Sequence, residues 1–465
     1  MAVRDSDYNV VDEIASYNLG TLSFQTNPLT IKVGNYTGYY TLGGYTADFT
    51  SERGTVNANL VPALEYHFGQ GQNNEFGLKL NHLGHVSAVL NKDGDVVGDV
   101  FGAYDESSRT FSITTFPMTI AMGDDFIGRW YVHTVTEDYT TVSGDQTIDF
   151  IPLFEYRITY GNEGRIVFSL DEFGQIVTPI TNDDDESIDG SVAVYTPANR
   201  SLSIQSYEYS ILAGSYIGDY AVLTITPEYT FWDGDQSSYL IPGAKYTIAV
   251  GWLGGFDIEV DNSGDVVAIY DLTGNPAAQI ATYSSSTSET GTSRALSLQT
   301  VSLSIEVGNY AGRYSIFGVT EELQADVQLD LLPSIKYGIN FGQGYASKNT
   351  YVFTLDSNGD IVEPSPIASY NPDTSVLSLN SHLVNIVSTC TQSYAINLVL
   401  ADTVGNAEIY VLSTVNYKLN IDSTTIEFAA DADGSSLTVQ GDGLTYVTVS
   451  GSSITLMPCL CSSSC

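Results

Sequence analysis

Two short turns carry the densest oxygen chemistry in the chain. Asp261-Asn262-Ser263-Gly264-Asp265 and Asp356-Ser357-Asn358-Gly359-Asp360 each gather carboxylate, amide and hydroxyl oxygens, the donor set that holds a hard cation such as calcium. Asp261, Asp265, Asp356, Asn358 and Asp360 are therefore calcium candidates. The glycine stands too early for an EF-hand loop and the closing glutamate is missing, whereas a tight β-hairpin asks for Asn, Asp and Gly at these same places. Calcium is the sharper reading and a hairpin turn the plainer one. No other cofactor is expected.

Histidine offers less. His82 and His85 flank Gly84 and His67 lies in a nearby alternating stretch, but a three-histidine metal site would lack Asp or Glu at ligand spacing, and His133 and His382 stand alone. No Gly-x-Ser-x-Gly motif, P-loop, or dinucleotide-binding glycine fingerprint between strand and helix occurs. A glycosidase needs only two nearby carboxylates, yet nothing singles out a pair among 55 acidic residues. Trp130, Trp232 and Trp252 are candidate platforms for stacking sugar rings. Asn35-Tyr36-Thr37 and Asn199-Arg200-Ser201 are glycosylation sequons, relevant only in a eukaryotic secretory path.

All four cysteines, Cys390, Cys459, Cys461 and Cys465, lie at the C-terminal end. They allow three intramolecular pairings, or bonds between subunits, and the Cys-x-Cys has no second pair at zinc-finger spacing. Structural disulfides are the expectation, with free thiols and a metal as alternatives.

The elements that position these residues repeat. Gly34, Tyr36, Gly38, Tyr40 recurs as Asp124, Phe126, Gly128, Trp130, then Gly214, Tyr216, Gly218, Tyr220, then Gly308, Tyr310, Gly312, Tyr314, with the second glycines 90, 90 and 94 residues apart. A proline four residues before a tyrosine recurs as Pro62 and Tyr66, Pro152 and Tyr156, Pro242 and Tyr246, Pro333 and Tyr337. An apolar alternation then runs into a polar turn at Gly84, Gly174, Gly264 and Gly359. Each unit closes on a Tyr, a polar turn and an apolar-Ser-apolar strand: Tyr104 to Ile113, Tyr195 to Ile204, Tyr370 to Leu379.

A fixed period of this length decides the architecture. A fifth unit is degraded: Ser393 falls where glycine is expected and Thr391 and Ala395 fall in the aromatic positions, while Tyr417 and the turn at Asp431 to Gly434 remain. Alternation of period two, as in Tyr156, Ile158, Tyr160, puts one set of side chains on a core face, and no window shows a helical period. The expected fold is all-β: five tandem antiparallel β-sandwich or barrel-like domains of about 90 residues in a linear array. Their extents are an arm over 1–20, repeats over 21–109, 110–200, 201–294 and 295–375, and a divergent repeat with the cysteine-bearing tail over 376–465. The recurring tyrosines are read as buried rings with hydroxyls reaching backbone. Segments 284–293 and 183–186 are read as exposed loops. In general order the landmarks resemble the tandem β-domain arrays of surface adhesins and virus fibres, without a residue-by-residue match.

Composition sets the partners. A net charge of -39 repels nucleic acid and anionic membrane surfaces, and no window is apolar for the length a membrane span needs. Met1 to Leu19 holds no apolar run of signal-peptide type, so no signal peptide is expected in this chain. The closing landmark also occurs near Tyr283 and at both ends, from Tyr17 into Leu22 and Phe24 and from Tyr446 into Ile454 and Leu456. Six such landmarks for five units lead to the expectation of head-to-tail self-association. The function expected is a non-enzymatic structural protein forming a rod or fibre on a virion or cell surface. A carbohydrate-binding adhesin with a glycan partner is the first alternative and a polysaccharide-degrading enzyme the second.

Overall fold

The computed structural model describes residues 15–457 except 44, 47–50, 71–73, 124–125, 137–141, 182–189, 191, 227–229, 289–290, 342–348, 363–366, 389–392, 398, 422–423 and 442–446. Among these residues every regular element is a β-strand, and the strands group into five successive two-sheet sandwiches. In the first, a sheet in the order Gly102–Asp105, Thr110–Ile113, Asn27–Lys32, Val56–Leu60 faces a sheet in the order Glu52–Arg53, Tyr39–Gly43, Glu65–Gln70, Asn74–Leu80, Val86–Leu90. The ring of Phe76 meets that of Phe111 across the two layers at 6.0 Å. The same order recurs over 116–204, 207–298, 301–379 and 381–456. By packing, the chain divides into two compact units, one drawn from residues up to 208 with 239–245 and 260–265, the other from 209–238, 246–259 and 266 onward.

Alternation along each strand produces the core. In Ala244–Val250 every second residue is buried, which is the period-two pattern of a pleated strand with one face inward. One pairing in each sandwich is parallel: Thr110 to Ser112 lies beside Thr30 to Lys32, Ser201 to Ser203 beside Thr119 to Ala121, and Ser453 to Leu456 beside Asn385 to Ser388. The closing strand therefore completes the sandwich that its own unit opened. Residues 284–288 and 291–293 are exposed as read, but they are not loop. They extend the closing hairpin of the third sandwich as strands Ala281–Ser288 and Gly291–Leu298, with hydroxyl pairs Ser286–Ser293 and Thr287–Thr292 across it. Segment 183–186 lies outside the described residues.

The Gly-x-Tyr-x-Gly landmark is a steric device. Its first glycine takes a left-handed φ, +59° at Gly34, +63° at Gly214 and +57° at Gly308. Its second glycine makes room for the ring two residues before it, since a Cβ at Gly38, Gly218 or Gly312 would collide with Tyr36, Tyr216 or Tyr310. The last aromatic of the landmark caps a turn of the facing strand. Tyr40 donates to the Gly54 carbonyl at 2.6 Å, Tyr220 to Gly234 at 2.7 Å, Tyr314 to Ala325 at 2.7 Å, and Trp130 donates its indole N–H to Gly144 at 3.2 Å. In the fifth sandwich that place belongs to Tyr394, which donates to Gly405 at 2.7 Å. The sequence alignment of that repeat was displaced by one position there, because without the flanking glycines only the hydrogen bond identifies the ring.

The tyrosine after the proline turn is a corner. Ile151 N–H donates to the Tyr156 hydroxyl at 2.8 Å, and that hydroxyl donates back to the Ile151 carbonyl at 3.0 Å. Tyr66 with Val61 and Tyr337 with Leu332 repeat both bonds, and Leu412 N–H donates to the Tyr417 hydroxyl in the same way. The corner is needed because the turn it closes holds a left-handed residue: Ala63, Leu153, Gly243, Ser334 and Thr414 have φ of +57°, +61°, +70°, +57° and +59°. Replacing Tyr156 by Phe leaves a buried N–H and C=O without their partner and is expected to cost about 1–3 kcal/mol in urea unfolding. A change below about 0.3 kcal/mol would mean that the hydroxyl is not needed to close the turn.

Candidate binding cleft

The two oxygen-rich turns use their carboxylates on their own backbone. Asp261 accepts from the N–H groups of Ser263 and Asp265 at 2.9 Å each, and Asp356 from those of Asn358 and Asp360 at 2.8 and 2.9 Å. Gly264 and Gly359 take φ of +81° and +89°. Asp360 also accepts from the Tyr370 hydroxyl at 2.8 Å. A neutral residue does the same work in the first sandwich, where Asn81 accepts from Leu83 and His85 N–H at 2.9 and 3.0 Å. The chemistry these side chains display is turn closure.

The histidines go to separate partners: His67 lies 3.5 Å from Glu65, His85 takes the Tyr104 hydroxyl at 2.9 Å, and His382 takes Ser413 at 2.8 Å. Among the described residues no three His, Cys, Asp or Glu side chains gather as metal ligands. Cys390, Cys459, Cys461 and Cys465 lie outside the described residues. Of the tryptophans, Trp130 is fully buried and Trp232 packs edge-on against Tyr220 at 6.0 Å, which leaves Trp252 as the one with a broadly exposed ring.

Consecutive sandwiches meet through a recurring joint. The Asn74 side-chain amide donates to the Glu155 carbonyl and accepts from Glu155 N–H at 2.6 and 2.9 Å, and Asn349 clasps Asn416 in the same way at 2.9 and 2.9 Å. Glu155 and Asn416 each immediately precede a corner tyrosine. Between the second and third sandwiches, Asn162 N–H donates to the Lys245 carbonyl at 3.1 Å and Tyr160 to the Pro242 carbonyl at 3.1 Å. The landmark tyrosine of one sandwich lies beside the corner tyrosine of the next, so that Tyr36 faces Tyr156, Tyr216 faces Tyr337 and Tyr310 faces Tyr417. Burial, reinforced by this neighbour, drives the corner hydroxyls well above the ordinary tyrosine range.

One joint opens into a cleft of about 580 Å³, between the third and fourth sandwiches. Asp219 N–H donates to the Gly318 carbonyl at 2.6 Å across this joint, the counterpart of Tyr39 N–H to Thr134 at 2.9 Å in the first. Among the described residues the cleft is lined by Ile217, Asp219, Asp233 and Trp252 on one side and by Ser315 to Glu322 with Asn340 on the other. Trp252 sits at the tip of the hairpin joining Ala244–Val250 to Gly254–Val260 and stacks on Phe231 at 5.9 Å and 23°. Trp252 is 46% exposed and Ile217 63% exposed.

Asp219 and Asp233 are opposite one another, one step along from the bridge between Tyr220 and Trp232. Burial, and after it the charge of Asp233, push the Asp219 carboxyl above its ordinary value. The first, second and fourth sandwiches put arginine at this pair of positions, and the fifth puts Ser393 and Val404 there. Arg53 lies over the Tyr39 ring at 5.1 Å, Arg129 precedes Trp130, and Arg313 pairs with Glu322 at 2.9 Å. Two acids facing each other across a ladder are destabilising, so the third sandwich bears a cost that the others avoid. The sequence reading named Trp252 but missed the acids, which show only when the repeats are aligned in ladder register.

No family model matches this chain, and no curated protein matches it. Among solved structures the chain is similar to the C-terminal fragment of the pilus adhesin SpaC from Lactobacillus rhamnosus GG, with a TM-score of 0.15, 11% identity, and coverage of 40% of this chain and 97% of the fragment. It is also similar to the pilus adhesin SpaC from the same organism in its open conformation, with a TM-score of 0.15, 12% identity, and coverage of 74% of this chain and 56% of that one.

Turn closure by Asp261 and Asp356 makes a clear expectation. Chelator added to the purified protein leaves the melting temperature unchanged, because a cation held only by the folded state would raise it by mass action. Asp356→Asn is expected to stay within about 0.5 kcal/mol of the parent, since Asn81 closes the same turn. A chelator-induced fall of several degrees would assign calcium to these turns.

Proposed function

We propose that the chain is a non-enzymatic structural protein that holds its five domains in a rod on a cell or virion surface and adds end to end into fibres. The observation that carries this reading is the recurring joint: the same side-chain clasp at the first and fourth joints, and facing tyrosines at the first, third and fourth, link one sandwich to the next, as a stacked repeat protein requires. A charge of -39 supports it by keeping such rods soluble and apart from nucleic acid. No helix among the described residues is long and apolar enough to cross a membrane.

The end-to-end step rests on the hairpin formed by Ala15–Asn18 and Thr21–Phe24. Its first strand, Ala-Ser-Tyr-Asn, is identical to Ala368 to Asn371 in the closing hairpin of the fourth sandwich. The other closing hairpins lie in parallel beside an opening strand, but this one forms a two-stranded sheet with Leu22 and Phe24 exposed. In the proposed fibre it docks on the last sandwich of a neighbouring copy, where Cys459, Cys461 and Cys465 supply the thiols for a covalent lock.

Sedimentation of the full chain under oxidising conditions is expected to give oligomers, and deletion of residues 1–20 to give monomer. Small-angle scattering of that monomer is expected to yield a radius of gyration near 40 Å, against about 23 Å for a single globule of this length. Equal assembly with and without residues 1–20 would reject the end-to-end step, and the lower radius would reject the rod.

A further inference from the structure

We infer that the cleft at the joint of the third and fourth sandwiches is a binding site for an uncharged glycan, with the exposed face of Trp252 as its platform. The inference rests on the surface reading above, since a glycan partner presupposes a chain that meets other cells or matrix.

Three observations converge. First, a pyranose ring presents a flat apolar face of C–H groups, and an aromatic ring held broadside to solvent is its complement. Trp252 is 46% exposed, stacked on Phe231 and seated against Gly318, where any Cβ would collide with the indole. The ring is fixed before a ligand arrives, so binding costs little ordering entropy. Second, beside apolar residues such as Ile217 and Val319 the lining carries groups that accept from and donate to hydroxyls: the carboxylates of Asp219 and Asp233, Ser315 and Thr320, and the amide of Asn340. A volume of about 580 Å³ falls within the range of small-molecule sites.

Third, the pair Asp219 and Asp233 has no structural return. At the same ladder positions the first and fourth sandwiches hold an arginine that packs or pairs locally, the second holds Arg129 and the fifth Ser393 and Val404, and only here do two carboxylates face each other beside an exposed aromatic ring. A sugar bearing two neighbouring hydroxyls can donate one hydrogen bond to each acid and relieve the repulsion that the empty pair carries. Glu321 and Glu322 add negative charge on the opposite wall, and Arg313 offsets one of them. Sialylated, uronic and sulfated glycans are repelled by such a wall, which sets the class as neutral hexoses and N-acetylhexosamines.

The test is a glycan array probed with the labelled full-length protein, followed by calorimetry on the strongest hit. Neutral glycans are expected to bind and acidic ones to fail. Trp252→Ala is expected to weaken the hit by about tenfold or more, whereas Trp252→Phe keeps most of the affinity because it keeps a stacking face. Asp233→Ala, checked by melting for an intact fold, is expected to weaken the same hit while Tyr39→Ala in the first sandwich does not. An array with no neutral hit, binding confined to acidic glycans, or a hit that both Trp252→Ala and Asp233→Ala leave unchanged would overturn the site. The rod and fibre are judged separately by sedimentation and scattering, so either reading can fail while the other stands.

Discussion

The hydroxyl of the corner tyrosine satisfies two backbone groups of one residue at once, and most of the molecule is arranged so that it can. The chain enters a strand through a turn with a left-handed residue, a conformation that leaves the preceding N–H and C=O without ladder partners. A ring from five residues later folds over the turn and supplies both bonds. Because the ring is buried, it also fills the core of its own sandwich and forms the surface on which the previous sandwich lands. One side chain thus ties local backbone, core and joint, and the second glycine of the Gly-x-Tyr-x-Gly segment leaves the room that the partner tyrosine occupies.

The proposed binding site lies where that arrangement is broken. At the first joint an arginine and a tyrosine pack together over the contact. At the third joint the same ladder positions hold Asp219 and Asp233, the hairpin tip bears Trp252, and a cleft opens between otherwise repeated parts. Residues that recur are used for packing. Residues that depart from the repeat without improving the packing are where a ligand has reason to bind.

Much of this was legible in the sequence. The period, the all-β class and the burial of the recurring tyrosines follow from spacing and alternation, which report faithfully on one face of a strand. The parallel placement of the closing strand did not follow, since alternation says which face is buried and not which neighbour a strand takes. Segment 284–293 reads as loop because Ser and Thr have no core to face, yet cross-strand hydroxyl pairs make it a hairpin. Tyr394 was missed because its glycines are gone. The cleft was missed because residues from Ile217 to Asn340 reach it from two repeats, a distance along the chain that no local motif spans.

The most direct test of the tyrosine-built joint is an alkaline titration that follows tyrosinate absorbance and β-sheet signal together. Burial raises these hydroxyls above the ordinary value of 10.0, to about 12 at Tyr310 and Tyr314 and well above the ordinary value at Tyr156, Tyr337 and Tyr417. The folded state therefore holds its protons longer than the unfolded one. Its stability is complete below 10.0 and falls as pH rises through the folded-state values. The account predicts that the exposed tyrosines ionise first with the sheets intact, and that the buried ones ionise only as the β-sheet signal is lost. Complete ionisation of all 32 tyrosines near 10.0 with the sheets intact would contradict it.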